Sequence, residues 1–162
     1  VMLNDYIIGD FRFNSFWDNL NNRFNLNGGL LDEERVEEIA LKDCYYYPKN
    51  NDSVQLEGGV LFDHFNIDFL SPFLPNEILS DLEGEINGDI DVFGNWSKPF
   101  FKGDLKINDS KISLSEFKTD FKIDVTVKVS PNQINIFGAS ISDQHNTKGK
   151  LSAYYEHDNY FV

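Results

Sequence analysis

A single cysteine among 162 residues removes two kinds of explanation at once. Cys44 can form no internal disulfide, and no thiolate-based metal site can be assembled around it. In DCYYYP, beside three tyrosines, it reads as a half-buried strand residue. Basic residues are also scarce: 14 Lys and Arg face 27 Asp and Glu, for a net charge of −13 and a pI near 4.4. So acidic a surface repels phosphate backbones and anionic headgroups. No nucleic-acid partner is expected, although binding of the acyl part of a lipid is left open. No run of about 18 apolar residues occurs, so no transmembrane helix is expected, and no basic-then-apolar start reads as a signal peptide.

Catalytic signatures are missing as well. His64, His145 and His157 lack a ligand-like spacing, so no metal is expected. The turn DQHNTKG lacks the regular Asp/Asn pattern of a calcium loop. There is no GxSxG, P-loop or GxGxxG, and the Gly84–Gly88 stretch is not followed by the helix pattern that a phosphate cradle needs. Asp89 and Asp91 share one strand face, as acid–base work or cation binding would require. Among Glu83, Glu85 and Asn87 they read instead as a solvated face. The triplets at Asn51, Asn95 and Asn108 match a glycosylation sequon, which an Asn-rich chain generates by chance. Neither an enzyme nor a cofactor is expected.

What is present is strand grammar. An apolar fraction of 41% with 15 Phe excludes disorder, and the length suits one domain over 1–162. The chain opens at Val1 in strand-like sequence and reads as a piece of something longer. The pattern is cleanest in FKTDFKIDVTVKV, residues 117–129. Phe117, Phe121, Ile123, Val125, Val127 and Val129 fall at one parity, and Lys118, Asp120, Lys122, Asp124 and Lys128 at the other. A strand puts these sets on opposite faces, over roughly 43 Å of chain. Burying each apolar side chain is worth about 1.5–3 kcal/mol, so something must cover that face.

The rest of the chain follows suit. DFRFNSF alternates, with Phe11 and Phe13 on one face, and Asn19–Leu31 reads as a second strand. Residues 32–42 fit two patterns: Asp32 can cap a helix carrying Val36, Ile39 and Ala40, or Arg35, Glu37, Ile39 and Leu41 alternate as a strand. The flanks favour the strand. Val54–Phe62 is a strand interrupted at Gly58-Gly59. Pro72 and Pro75 break the apolar connector that follows, and Asn76 can cap one helical turn there, making the segment a candidate lid. Then Leu82, Ile86, Ile90, Val92 and Trp96 share a parity with Gly84, Gly88 and Gly94, which suggests a sheet that bends. Pro99 ends that strand. Phe101, Leu105 and Ile107 point inward after it, with Gly103 among them, and Asn108-Asp109-Ser110 reads as a tight turn before Ile112 and Leu114. A parity change between Leu114 and Phe117 calls for a bulge or turn. Ser130–Gln133 reads as a hairpin turn leading to Ile134 and Ile136. The sum is an all-β, mostly antiparallel meander of roughly ten strands.

The order of these elements carries a resemblance. LEGEINGDIDVFGNWSKPFFKGDLKINDSKISLSEFKTDFKID is similar to the C-terminal region of the TamB family, the inner-membrane component of the translocation and assembly module, in its Bacteroidetes-type form. Gly84, Ile86 and Gly88 match the family's G-x-I-x-G strand. Gly94, Pro99 and Gly103 match its G-x-x-x-x-P-x-x-x-G crossing, and Leu105, Ile107, Ser110 and Ile112 its L-x-I-x-x-(G/S)-x-I element. Ile141, Asp143, Gly149 and Leu151 fit a downstream segment, with His157 as a further match. The likeness covers Leu56–Phe161. It implies an elongated, curved, β-taco-like sheet with an apolar concave interior, lined here by Ile86, Ile90, Val92, Leu105, Ile107, Ile112, Leu114, Phe117, Phe121, Ile123, Val125, Val127 and Val129. It further implies a non-catalytic periplasmic segment of an inner-membrane-anchored, AsmA-like protein in a Gram-negative bacterium. The implied partners are phospholipid acyl chains or nascent outer-membrane β-strands, and, through the parent protein, a TamA-type outer-membrane β-barrel. The implied roles are protein secretion, outer-membrane protein assembly and phospholipid transport.

Three other readings accompany this one. In a closed β-sandwich binding or adhesion module the same face is simply core. A piece of outer-membrane barrel would turn its apolar face to lipid and carry aromatic girdles. A polysaccharide-active β-helix would need a regular coil repeat and stacked carboxylates, and the sequence displays neither.

Overall fold

A computed structural model describes residues 2–3, 6–7, 9–32, 34–49, 54–68, 79–114, 119–145 and 147–156. Met2–Leu3 (β1) and Tyr6–Ile7 (β2) form a small antiparallel pair. The body is one sheet of nine strands: Asp10–Asp18 (β3), Arg23–Leu31 (β4), Glu37–Tyr46 (β5), Leu56–Asn66 (β6), Leu79–Asn95 (β7), Lys98–Leu114 (β8), Thr119–Ser130 (β9), Gln133–Asp143 (β10) and Lys148–Glu156 (β11). Spatial order follows chain order from β3 to β11, and every ladder is antiparallel. The expected all-β meander is what the chain forms.

Several expected boundaries shift, each for a physical reason. Asp32 and residues 34–36 are neither helix nor strand: Asp32 Oδ1 accepts the Val36 N–H at 2.7 Å, and the strand follows from Glu37. The second long strand starts at Arg23, after a turn at 19–22. Gly58-Gly59 do not interrupt β6, because both pair across the ladder with Val92 and Asp91. Pro99 does not end a strand: it occupies the second position of β8, where a missing N–H is tolerated. Asn108-Asp109-Ser110 is not a turn but a bulge inside β8. The longest strands are therefore β7 and β8, at 17 residues each, rather than the one around Val125. The proline-broken connector and the parity change at 115–118 lie outside the described residues.

Bulges interrupt the apolar alternation along several strands. Each of β5, β6, β8 and β10 carries an extra residue that moves its inward side chains to the other parity. In β6 the inward set runs Val60, Phe62, then Phe65 and Ile67. Asp43, His64 and Gly138 take up positive φ at three of these bulges. Each of these four bulges is held by a side chain in or beside it. Asn87 Oδ1 accepts the His64 N–H at 2.9 Å, and Ser152 Oγ accepts the Gly138 N–H at 3.2 Å. Ser110 donates its hydroxyl to the Ile123 carbonyl. At the β5 bulge, the Cys44 thiol points at the carbonyls of Gly59 (3.2 Å) and Lys42 (3.5 Å). Bulges add twist and bend, and four in one sheet curve it strongly.

Curvature is read directly from the side chains. Leu30 on β4 is 6% exposed although the sheet is a single layer, because it packs with Phe65 on β6 and Ile67 just after it. Side chains two strands apart, about 9.6 Å along the sheet, converge only on a concave side. Gly88 serves the same bend: at φ 139 its Cβ position is filled by the Asp104 carbonyl, so neighbouring backbone closes on it from β8. β3 and β11 end the strand order as edge strands, with no ladder between them. The sheet is curved but not closed on itself.

Candidate binding face

The registers join the inward residues into continuous rows across the strands. One row reads Phe11, Leu30, Ile39, Phe62, Gly88, Leu105, Val127, Ile136, Ala153, with one residue from each of the nine strands and no charge. A parallel row runs Leu41, Val60, Ile90, Gly103, Val129, Ile134. On the other flank lie Phe65, Ile86, Ile107 and Val125, then Leu82, Ile112 and Phe121. Ile123 faces Ser110 and Ile141 within the same surface, and Val92 lies between Gly58 and Phe101. Eleven of the thirteen expected lining residues thus share one face. Leu114 ends β8 opposite Thr119, and its side chain, like the whole of Phe117, lies outside the described residues.

This face is neither core nor free surface. Of the eleven, Ile90 alone is buried, at 9% exposure, and the others are half-buried. No large side chain among the described residues is completely enclosed. The side chains cover one another along the rows, yet their tips stay uncovered.

At the β3–β5 end the face turns aromatic. Trp17 meets Phe24 edge-on at 4.9 Å, Phe24 stacks on Tyr46 at 6.4 Å, and Tyr46 meets Trp96 at 5.6 Å. A cavity of about 280 Å³ opens there among Phe13, Ser15, Phe24, Leu26, Tyr46 and Trp96. The alternation in β3 had marked Phe11 and Phe13. The Trp17–Phe24–Tyr46–Trp96 chain was missed, since its members come from three strands and a turn, and only the register aligns them.

The outer face carries the charge. Asp91 faces Gly59 and Lys102, and Asp89 faces Leu61 and Asp104. Lys128 reaches Asp104 at 3.7 Å, and Lys111 reaches Glu83 at 3.6 Å and Asp120 at 3.5 Å. Arg23 stacks on Tyr45, 3.5 Å from the ring centre, and its Nη1 donates to Tyr47 Oη at 3.1 Å. His64 Nδ1 sits 2.8 Å from Asp63 in the open. Burial raises the Cys44 pKa and keeps the thiol protonated, so its position is structural. Among the described residues no three His, Cys, Asp or Glu side chains gather as metal ligands.

Apart from Ser110, whose hydroxyl is held by the Ile123 carbonyl, the residues named along the rows of the concave face are apolar. What it offers is a long apolar strip, charge-free along its length, with acidic and basic side chains turned away behind it. Comparisons with protein families, with curated proteins and with solved structures find no match for this chain.

Proposed function

We propose that the chain is a non-catalytic groove segment of a TamB-like periplasmic protein, which shields phospholipid acyl chains or nascent outer-membrane β-strands on its concave face. The observation that carries this reading is the nine-residue apolar row, continuous from β3 to β11 and half-exposed throughout most of its length. A flexible apolar chain laid along it would gain hydrophobic contact at every strand and need no specific hydrogen bond. The parent protein, bridging inner and outer membranes and meeting a TamA-type barrel, belongs to the same proposal. A single sheet with an uncovered face supports the groove over a closed β-sandwich, where these residues would be core.

Val125→Asp and Phe121→Asp test it. Both side chains are half-buried, so a carboxylate there keeps part of its hydration and the sheet stays folded by circular dichroism. Lipid mass spectrometry on the purified chain should find phospholipid with the wild type and roughly tenfold less with either variant, the loss expected for about 1.4 kcal/mol of apolar contact. Unfolding of both variants instead identifies a closed core and supports the sandwich. A folded wild type that captures neither lipid nor an unfolded outer-membrane strand overturns the groove reading.

A further inference from the structure

The two margins of the sheet, where the strands turn, differ sharply. One margin is formed by residues 18–23, 47–49, 95–98 and 130–133. The described residues there carry two carboxylates, Asp18, paired with Arg23 at 3.6 Å, and Glu156 at the end of β11 opposite Gln133, against the positive charge of Arg23, Lys49 and Lys98. At the opposite margin, Asp32, Glu34, Glu37, Asp68 and Asp143 outweigh Arg35 and Lys148. In a chain of net charge −13, the described residues of the first margin are the less acidic of the two sets.

That margin also gathers the aromatic chain. Both tryptophans of the protein, Trp17 and Trp96, stand there, with Phe24 and Tyr46 between them. The indole of Trp17 donates to Asn19 Oδ1 at 2.8 Å, so its polar atom faces the turn while its ring joins the apolar face. Trp96 is 64% exposed and Leu20, at the tip of the β3–β4 turn, is 92% exposed. Leu20 is not out by looseness. Asp18 accepts the N–H groups of Leu20 (3.0 Å) and Asn21 (3.2 Å) and the Asn21 side-chain amide (2.7 Å), which fixes the turn that holds Leu20 in water.

An apolar tip, aromatic rings with wet polar atoms, and lysines beside them match the chemistry of a bilayer interface. Of the two margins this one is the better placed to approach, since the other, with its excess of carboxylates, is repelled by anionic headgroups. We propose that the Leu20–Trp96 margin docks on a phospholipid bilayer surface, inserting Leu20 and the two indoles at headgroup depth. This surface role adds to the groove reading and stands without it, because the margin needs no cargo in the groove in order to bind.

The two native tryptophans report the test without any label. Flotation of the full chain with phosphatidylcholine vesicles, with and without phosphatidylglycerol, should bring the protein up with the lipid and shift its tryptophan emission to the blue. Lipids brominated high in the acyl chain should quench that emission more than lipids brominated near the chain end. Leu20→Ser should cut vesicle partitioning at least about tenfold, the loss expected when one leucine side chain is withdrawn from an apolar phase. Because Leu20 is almost wholly exposed, the variant keeps its fold. Val125→Asp, which empties the groove, should float like the wild type, so failure of the groove and failure of the docking margin are told apart. No flotation with either vesicle overturns the proposal. So does a blue shift that appears on concentrating the protein without lipid and tracks a dimer in light scattering, which would assign the margin to a second copy.

Discussion

The concave face has two regions built on one ladder from different side chains. From β3 to β6 it is aromatic and leucine-rich, and here Leu30, Phe65 and Ile67 form the buried cluster. From β8 to β10 it is a wall of Val and Ile, half-exposed from Leu105 to Ile136. The difference lies in reach. Where Leu30, Phe65 and Ile67 converge across β5 they bridge the inside of the curve and exclude water, whereas Phe11 and Phe13 on the edge strand and the short β-branched side chains of the wall leave their tips open. The first region holds the curve and the second supplies open apolar surface.

Truncation should expose this division. Leu30→Ala removes the residue on which Phe65 and Ile67 close, and should cost about 2–3 kcal/mol in urea unfolding. Val127→Ala, five strands along the same row and only half-buried, should cost about 1 kcal/mol. Equal costs would mean that the wall is as well packed as the cluster, and the contrast would fail.

The two regions were also unequally legible. The wall shows itself in sequence because β9 has no bulge, so Phe121 to Val129 alternates without a break, and the glycines of β7 share its inward parity. The cluster does not, because the bulge at His64 moves the inward set of β6 from Phe62 to Phe65, and the one at Asp43 does the same to β5. A pattern of period two ends wherever one residue is added, and nothing in DHF announces the addition. The all-β meander survives such slips, since it rests on strand count and turn chemistry. The length of β8 did not, because NDS supports a turn as readily as a bulge.

Bulge ties give a smaller contrast. Asn87 binds the His64 N–H in the middle of the sheet, and Ser152 binds the Gly138 N–H beside the edge strand β11. Asn87→Ala should cost about 1 kcal/mol, near the usual worth of one hydrogen bond. Ser152→Ala should cost less, because Ser152 is exposed on the edge strand, where water replaces its hydroxyl, whereas Asn87 is half-buried in mid-sheet. Hydrogen exchange at His64 and Gly138 reads the two directly. Faster exchange at Gly138 than at His64 is expected in the wild type, and only His64 should accelerate much on loss of its tie.

The smallest contrast lies within β10, between the turns at its two ends. Asp143 Oδ1 accepts the N–H groups of Thr147 and His145, both at 2.8 Å, and these bonds hold its carboxyl below the ordinary carboxylate range. A depressed folded pKa means that the turn's stabilisation is fully present above the unfolded value, near pH 4, and disappears as pH falls through the folded one. At the other end Ser130 Oγ donates to the Gln133 carbonyl at 2.9 Å, a neutral contact with nothing to titrate. Amides of His145 and Thr147 should therefore lose protection below about pH 4, after correction for intrinsic exchange, while Gln133 keeps its own. Asp143→Asn should abolish the acid step. A parallel loss at Gln133 would show that the whole of β10 loosens in acid, and that the carboxylate margin of the wall has no separate weakness.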